Sequence, residues 1–460
     1  MTVQPETSTE ADPELRPGEV PSHWYNVIAD LVGYVPEERA PARQHSGPAL
    51  RPQLPLSIYR QSVSREPFVA IPAEVRAQYE RWRPTPLIRA RGLEQQLRTP
   101  ARIYYKYEGA SLSGSHKLNT AVAQAYYYKQ AGVEELVTAT GAGQWGTALS
   151  MACTMFGLKC TAFMVRCSHD QKPQRRRLVE LNGGRVIPSP STATKAGAAI
   201  LAADPDCPGS LSIASSEAHE YATESENARY CAGSGDNHVL LHQTVIGQEA
   251  LAQLRDVGDH PDVVVGALGA GSNFAGIAMP FFRHSKLTGR ATELVAVEPK
   301  ACPKLTRGIY TWDHHDALGN TPMSKMYTLG HTFVPSAIHA GGLRYHGAAP
   351  VVSWMYHERL ISAVAYGQKS VFDAAAEFVR AEQVIPAPES AHAIRYVIDR
   401  AVEARETGTP ETILFNLSGH GLLDLSAYEQ WADGLLDDDP AAEADIVRAQ
   451  AELSARAVER

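Results

Sequence analysis

Cysteine is scarce in this chain, and its spacing argues against two classes of protein. Six cysteines occur among 460 residues, without a C-x-x-C pair or a spacing typical of metal ligands. A disulfide scaffold and a zinc module are therefore disfavoured. We expect no metal-ligating residues, and free, mostly buried thiols in a reduced, cytoplasmic compartment. The cysteines are Cys153, Cys160, Cys167, Cys207, Cys231 and Cys302.

Excess positive charge and long apolar runs are also lacking. The chain has 43 Lys and Arg against 51 Asp and Glu, a formal net charge of −8. This balance argues against a nucleic-acid or anionic-membrane partner. No apolar run is long enough to span a bilayer, and residues 1–21 are polar and acidic, without the apolar segment of a secretory signal. We expect residues 1–22 to form a disordered extension.

What the chain does contain is an alternation of β and α patterns. Hydrophobic residues make up 44% of it, enough for a sizeable core. The alternation predicts an α/β architecture built on parallel sheets. Ligands in such folds bind at the carboxyl ends of strands. The strand-like runs are residues 101–107, 136–140, 160–165, 262–268, 294–298 and 412–417, with helical patterns at 119–130 and 147–155.

Lys117 and two glycine-rich stretches carry the chemistry. Lys117 lies in residues 114–120, and the glycine-rich stretches are residues 140–146 and 269–273, each directly after a strand-like run. Backbone N–H groups at such turns bind anions, and the following helix dipole adds to the attraction. A lysine amine forms an imine with an aldehyde cofactor and becomes a base when burial lowers its pKa. One carboxylate loop, one phosphate loop and one lysine indicate a pyridoxal-phosphate enzyme acting on an amino acid.

Three further residues have both a structural and a functional interpretation. His116 is either a packing or capping histidine or a ligand of the cofactor phosphate. Ser418 is either a turn former or a hydroxyl that faces the cofactor's ring nitrogen and leaves it neutral, which favours elimination at Cβ over transamination and racemisation. Glu389 is either a helix-start acid or a side chain beside the cofactor ring.

Longer segments give the chain a family resemblance. Between about residues 24 and 428 it resembles the tryptophan synthase β chains of the second, divergent type, which often lack an obligate α partner. The resemblance implies a fold-type II pyridoxal-phosphate enzyme with two three-layer αβα domains and the cofactor between them. The matching segments are residues 83–87, 114–119, 140–146, 242–247, 342–347, 386–392 and 417–421.

The resemblance also implies roles for individual residues. Lys117 would form the imine and act as the catalytic residue. The cofactor-binding residues would be His116, Lys117, Asn119, Gly269, Ala270, Gly271, Ser272, Asn273, Glu389 and Ser418, and the substrate carboxylate would be bound by Thr140, Gly141, Ala142, Gly143 and Gln144.

At the level of the whole molecule, the resemblance implies a homodimer that often binds a monovalent cation, sodium or potassium, while an α-type subunit stays uncertain. We expect an N-terminal domain at residues 23–245 with a mobile region near 132–218, a C-terminal cofactor-binding domain at 246–436 and a helical tail at 437–460.

The main departure from the family is Ala139. The family has a catalytic glutamate directly before Thr-Gly-Ala-Gly-Gln, and alanine can neither donate a proton nor orient an indole N–H. A positioned acid typically contributes ~10²–10⁴-fold to rate. Three explanations stay open besides harmless drift: an activated serine donor, a different nucleophile, or another proton donor, for which His169, Asp170 and Glu108 are candidates.

Two further departures concern the phosphate loop and residues 166–170. Ala270 replaces the usual middle glycine of the phosphate loop, so phosphate binding requires that its φ be negative. Residues 166–170 also differ from the tyrosine- and glutamate-containing stretch of the family.

The sequence therefore predicts a pyridoxal-phosphate lyase or synthase that performs β-replacement on L-serine or an activated serine through an aminoacrylate. Indole is the default nucleophile. A non-indole nucleophile or activated donor in a specialised pathway, a β-eliminating serine deaminase and a non-catalytic cofactor-binding subunit are the alternatives.

Overall fold

The computed structural model describes residues 15–39, 53–438 and 441–458. Of the extension predicted at residues 1–22, residues 1–14 lie outside the described part, and residues 15–22 form neither helix nor strand. The strands are β1 (His23–Tyr25), β2 (Glu38–Arg39), β3 (Phe68–Ala70), β4 (Leu87–Arg89), β5 (Arg102–Tyr107), β6 (Glu135–Thr140), β7 (Lys159–Val165), β8 (Arg185–Ser189), β9 (Ala228–Tyr230), β10 (Val263–Ala267), β11 (Glu293–Pro299), β12 (Ile309–His314), β13 (Met323–Thr328), β14 (Ser362–Tyr366) and β15 (Thr412–Leu417).

The helices alternate with these strands over most of the chain. They are α1 (Leu56–Val63), α2 (Ala73–Tyr79), α3 (Arg91–Leu97), α4 (Lys117–Gln130), α5 (Gln144–Phe156), α6 (Arg166–Gln171), α7 (Pro173–Leu181), α8 (Lys195–Ala203), α9 (Leu211–Glu224), α10 (Asn237–Gln243), α11 (Val245–Asp256), α12 (Ser272–Thr288), α13 (Lys304–Arg307), α14 (Pro350–His357), α15 (Gln368–Glu382), α16 (Pro388–Thr407), α17 (Leu425–Ala432) and α18 (Ala441–Val458). No helix of the described residues is long and apolar enough to cross a membrane.

The larger sheet has six strands in the order β14-β11-β10-β15-β5-β4. Its neighbours pair in parallel except for the antiparallel edge strand β4. Val263 and Val265 of β10 pack in one core cluster with α16, whereas Val264 packs in the other cluster with α12. Both faces of the sheet are therefore covered by helices, which explains why β10 reads as a continuous apolar run.

The smaller sheet is fully parallel, in the order β8-β7-β6-β9. Val137 and Ala139 of β6 face α9, where Ala214 and Ala218 pack against them. Leu136, on the opposite face of β6, packs in the cluster that contains α5. Helices therefore cover both faces of this sheet as well, in a three-layer arrangement. The α/β architecture expected from the sequence is confirmed.

The carboxyl ends of three strands position the site. β6 leads into α5, β10 leads into α12, and β15 ends at Leu417, next to Ser418. The start of α4 joins the end of β15, because the N–H of His116 donates to the Ser418 carbonyl at 2.9 Å. These three turns and the start of α4 therefore meet in one region, where ligands bind in such folds.

The two sheets do not divide the chain at one point. β4 and β5 precede residue 245, yet both belong to the larger sheet, where β4 pairs with β5 and β5 pairs with β15. The larger sheet thus contains strands from both sides of the expected boundary between residues 245 and 246. The domain bounds stay a prediction. The helical tail expected at residues 437–460 contains α18, Ala441–Val458.

Candidate active site

Lys117 is the first residue of α4, and its side chain lines two adjoining cavities. Burial lowers the pKa of its amine to about 8, against the opposing influence of the Glu389 carboxylate. A lysine with this pKa has a large neutral fraction near physiological pH, whereas an ordinary lysine is almost wholly charged. The amine is therefore suited to attack an aldehyde and to take a proton.

The smaller cavity contains an anion cradle at the start of α12. Gly269, Ala270, Gly271, Ser272 and Asn273 all line it. Gly271 has a φ of 146°, and a Cβ on Gly269 would lie 2.4 Å from the Gly342 carbonyl oxygen, so both positions require glycine. Ala270 has no positive φ, which meets the condition for an alanine there. The first N–H groups of the helix are free of intrahelical partners and face an anion bound at this end.

His116 lies across this cradle in its neutral form. Its Nδ1 donates to the Ser418 carbonyl at 3.3 Å, which leaves Nε2 to accept from the Ser272 hydroxyl at 3.2 Å. Burial, with the neighbouring Lys117 charge, lowers the pKa of His116 to about 3. The imidazole therefore holds Ser272 in place rather than supplying a positive charge to an anion.

Ser418 and Glu389 complete the smaller cavity. The Ser418 hydroxyl is 2.8 Å from that of Ser390, and it is buried. The Oε1 atom of Glu389 accepts the Gly342 N–H at 2.8 Å, but its buried Oε2 has no hydrogen-bond partner among the described residues. A buried carboxylate oxygen without a partner is costly and indicates a missing polar ligand. Amine, anion cradle, hydroxyl and orphaned carboxylate thus fit pyridoxal phosphate.

Asn119 belongs to a buried network of polar side chains. Its amide nitrogen donates to Glu108 and to Gln243, both at 3.1 Å, and its oxygen accepts from Arg83 at 2.8 Å. The side chain is buried in this network and lines neither cavity. The side chain therefore ties α4 to Arg83, and the cofactor-binding role that the family resemblance implies for Asn119 stays a prediction.

Thr140, Gly141, Ala142 and Gln144 line the larger cavity, and Gly143 lies in the same turn. Gly143 has a φ of 93° directly before α5, and a Cβ on Gly141 would lie 2.6 Å from the Gly341 carbonyl oxygen. The Thr140 hydroxyl accepts the Gly146 N–H at 3.2 Å and so caps the turn. The N–H groups at the start of α5 form a second anion site, suited to a small carboxylate.

Ala139 stands immediately before this turn and lines the same cavity, whose volume is about 1410 Å³. Ligand cavities usually measure ~300–1,000 Å³. The cavity extends from Lys117 past α9, where Ser215 and His219 line it, to Asp236 and His315. The cavity as a whole therefore exceeds the space that a nucleophile of the size of indole fills.

The structure does not place Glu108, His169 or Asp170 on either cavity. Arg83 and Thr85 bind the Glu108 carboxylate, and although burial alone would raise its pKa, Arg83 and Lys106 hold it at about 2. His169 pairs with Asp170 at 2.9 Å, away from the cavities. None of these contacts connects the three residues to the cavities, and the suggestion that one of them supplies the proton stays a prediction.

His219, Ser215 and Asp236 are cavity residues that sequence reasoning missed. Ser215 and His219 are four residues apart, so they lie on one face of α9. That spacing was visible in the sequence, but only the packing of α9 on β6 shows that this face lines the cavity. Asp236 precedes α10 and gave no comparable signal.

Comparison with known proteins agrees with this geometry. The profile of a family described as pyridoxal-phosphate dependent enzyme matches residues 79–419. The chain therefore belongs to the pyridoxal-phosphate dependent enzymes. It is 53% identical over 425 residues to tryptophan synthase beta chain 2 of Aeropyrum pernix, covering 91% of this chain and 95% of that protein. It is 54% identical over 419 residues to tryptophan synthase beta chain 2 of Thermotoga maritima, covering 90% and 98%. Within the class, the chain is a member of the tryptophan synthase β chain family of lyases.

Solved structures share the fold at low sequence identity. The L-serine ammonia-lyase of Rhizomucor miehei matches with a TM-score of 0.56 and 14% identity, over 76% of this chain and 98% of that one. Threonine deaminase isoform 2 of Solanum lycopersicum matches with a TM-score of 0.59 and 18% identity, over 92% and 98%. The fold-type II architecture is thus confirmed.

Proposed function

We propose that the chain catalyses pyridoxal-phosphate dependent β-replacement on L-serine or an O-activated serine, with indole as the default nucleophile. The observation that carries this proposal is that Lys117 lines both cavities, between the anion cradle of α12 and the carboxylate turn of α5. An amino acid held by its carboxylate at residues 140–144 would present its Cα to the Lys117 amine.

The chain's own residues supply binding and proton transfer. The cofactor, when bound, withdraws electrons from Cα. Lys117 takes the Cα proton, and the leaving group departs from Cβ before the nucleophile adds there. The Ser418 hydroxyl keeps the cofactor's ring nitrogen neutral, because serine does not protonate it as an aspartate would, and this favours elimination over transamination.

Exchange of the Cα proton of L-serine in D₂O, followed by proton NMR, tests the lysine assignment. Lys117→Ala is expected to abolish exchange. Lys129→Ala, on the exposed last turn of the same helix, is the matched control and should leave exchange unchanged. Exchange that persists in Lys117→Ala would refute the assignment, and mass analysis of the product with indole present identifies tryptophan.

A second candidate is an O-activated donor or a nucleophile larger than indole. It is favoured by Ala139, which places a methyl group at the wall of a 1410 Å³ cavity. Without an acid at this position, a leaving group that departs unprotonated is advantageous. Parallel assays with L-serine and O-phospho-L-serine test this, and equal turnover with both donors would count against it.

Water exclusion separates replacement from deamination. Lys172 and Arg175, in the region expected to be mobile, bind opposite oxygens of Asp424 at 2.6 and 3.1 Å, all three side chains being buried. These pairs link that region to the loop after Ser418. Asp424→Asn is expected to increase pyruvate release per replacement product. High pyruvate release in the wild type with any nucleophile would instead favour a serine deaminase. A cofactor absorption spectrum that does not change when amino acids are added would favour a non-catalytic subunit.

We further propose a cytoplasmic homodimer that is stimulated by sodium or potassium. The support is the family and the six cysteines, all of them free. Light scattering after gel filtration tests the dimer, and turnover in tetramethylammonium buffer with added KCl or NaCl tests the cation.

A further inference from the structure

His219 lines the larger cavity, as Ala139 does. It lies on α9, which packs on the face of β6 that presents Val137 and Ala139. Its ring stacks on Tyr230 with centroids 3.7 Å apart, and Tyr230 is the register partner of Val137 on the neighbouring strand β9. The stacking on Tyr230 and the packing of α9 on β6 therefore hold the ring at the wall of the cavity that Ala139 also lines.

The hydrogen bonds of His219 define its tautomer. Its Nδ1 lies 2.8 Å from the Ser215 carbonyl oxygen, which only accepts, so Nδ1 carries the proton. Its Nε2 forms no hydrogen bond with any described residue and is not sealed from the cavity. Burial lowers the pKa of His219, although the bond to Ser215 and the Asp316 and Asp236 carboxylates oppose that effect. The ring is therefore neutral at physiological pH, with an acceptor lone pair free to bind a cavity ligand.

We propose that His219 Nε2 accepts the N–H of the nucleophile and takes its proton during addition, in place of a carboxylate at position 139. This inference rests on the proposed function. When the ring nitrogen bonds to Cβ, its N–H bond breaks and the proton joins the Nε2 lone pair. When a ring carbon such as C3 of indole bonds to Cβ, the N–H proton moves to Nε2 as a C=N bond forms in the ring; the carbon then loses its own hydrogen as a proton to solvent, and Nε2 returns the first proton to the nitrogen. The ligand class is an aromatic heterocycle bearing an N–H, of which indole is the simplest.

The charges around His219 support this transfer. Asp236, before α10, and Asp316, after β12, favour the protonated ring, whereas His315 disfavours it. Asp236 lines the same cavity and makes no ion pair among the described residues. An imidazolium formed at His219 is therefore stabilised by two carboxylates until it returns its proton to the ring nitrogen or, after attack by nitrogen, releases it to solvent in the cavity.

The binding test compares indole with 1-methylindole, which lacks the N–H. Calorimetry is performed on the protein with and without pyridoxal phosphate, using the wild type, His219→Leu and His219→Gln. A neutral hydrogen bond corresponds to about a 2- to 12-fold change in affinity. We expect His219→Leu to lose that factor for indole and nothing for 1-methylindole, and His219→Gln, which keeps an acceptor, to retain it.

The turnover test separates binding from proton transfer. Both variants are expected to lower kcat for nucleophile addition by ~10²–10⁴-fold, the usual contribution of a positioned base. His219→Leu should also raise the KM for indole, whereas His219→Gln should not. His357→Gln is the control, because His357 is exposed in the last turn of α14 and lines neither cavity.

The outcomes distinguish this inference from the proposed function. Donor chemistry, measured as Cα-proton exchange of L-serine without nucleophile, should persist in every His219 variant. Its absence in the wild type would overturn the proposed function, while the affinity difference between indole and 1-methylindole would still decide for or against His219. Equal affinities and an unchanged kcat in His219→Leu, with unfolding midpoint and cofactor absorption as in the wild type, would overturn the inference.

Discussion

Placing a carboxylate at position 139 tests the proposal that Ala139 directs the enzyme away from L-serine and indole. Ala139 is 6% exposed, and that small surface faces the large cavity beyond the carboxylate turn. A glutamate side chain therefore has room on the cavity side, although its stem must leave the apolar cluster formed with Ala214 and Ala218. We expect Ala139→Glu to fold and to bind the cofactor.

The magnitude follows from what a positioned acid supplies. A serine hydroxyl departs slowly unless it is protonated, and general-acid catalysis contributes ~10²–10⁴-fold. Ala139→Glu should therefore raise serine-plus-indole turnover by about 10²-fold or more. O-phospho-L-serine should gain far less, because its phosphate departs without a proton.

The matched control is Ala139→Gln, which has nearly the same shape and no proton to donate. Turnover is followed by tryptophan formation under saturating indole, with unfolding midpoints measured for both variants. Equal turnover with L-serine in the Glu and Gln variants, both folded and loaded with cofactor, would refute the missing-acid argument.

Three further predictions concern the cofactor site and the core. The rate at which the apoprotein binds pyridoxal phosphate should increase with pH up to about 8 and then level off. The reason is that the neutral Lys117 amine is the attacking form and its pKa is lowered to about 8. A rate, measured by stopped-flow absorbance, that keeps increasing towards pH 10 would contradict this. Arg83→Met should destabilise the fold by about 3–5 kcal/mol, measured by urea unfolding, because it leaves the buried Glu108 and Glu249 carboxylates without their shared cation. Ser418→Asp should increase transamination of L-serine, seen as pyridoxamine phosphate in the product spectrum, because aspartate holds the ring nitrogen protonated; an unchanged product ratio would contradict the role of the serine.

The sequence predicted those parts of the site that are encoded locally. Lys117, the glycines before α12 and Ser418 each follow or precede a strand in a short, recognisable segment, and the parallel sheets bring those segments together. The hydrogen bonds of the Asn119 side chain could not be predicted, because its partners Arg83, Glu108 and Gln243 come from separate segments.

His219 and Asp236 were missed for a related reason. Neither belongs to a motif, and each becomes a cavity residue only when α9 packs on β6 and α10 follows β9. When a side chain lines a cavity from a helix distant in sequence, no sequence pattern distinguishes it from a surface residue. A site built from turns is therefore more predictable than the pocket that selects its ligand.

The neutral state of His219 has a consequence for the donor. In the family, one glutamate serves as the acid/base of the site, but a neutral imidazole whose Nδ1 proton is held by Ser215 offers the cavity a base and no acid. If His219 acts as the base for the nucleophile, the leaving group is still without a proton donor. The base and the acid of the reaction are then no longer one residue. The turnover of such an enzyme with O-phospho-L-serine should exceed that with L-serine by about the factor that Ala139→Glu gains with L-serine. His219→Leu should slow replacement from both donors alike. A preference for L-serine in the wild type would mean that a proton donor other than His219 serves the leaving hydroxyl.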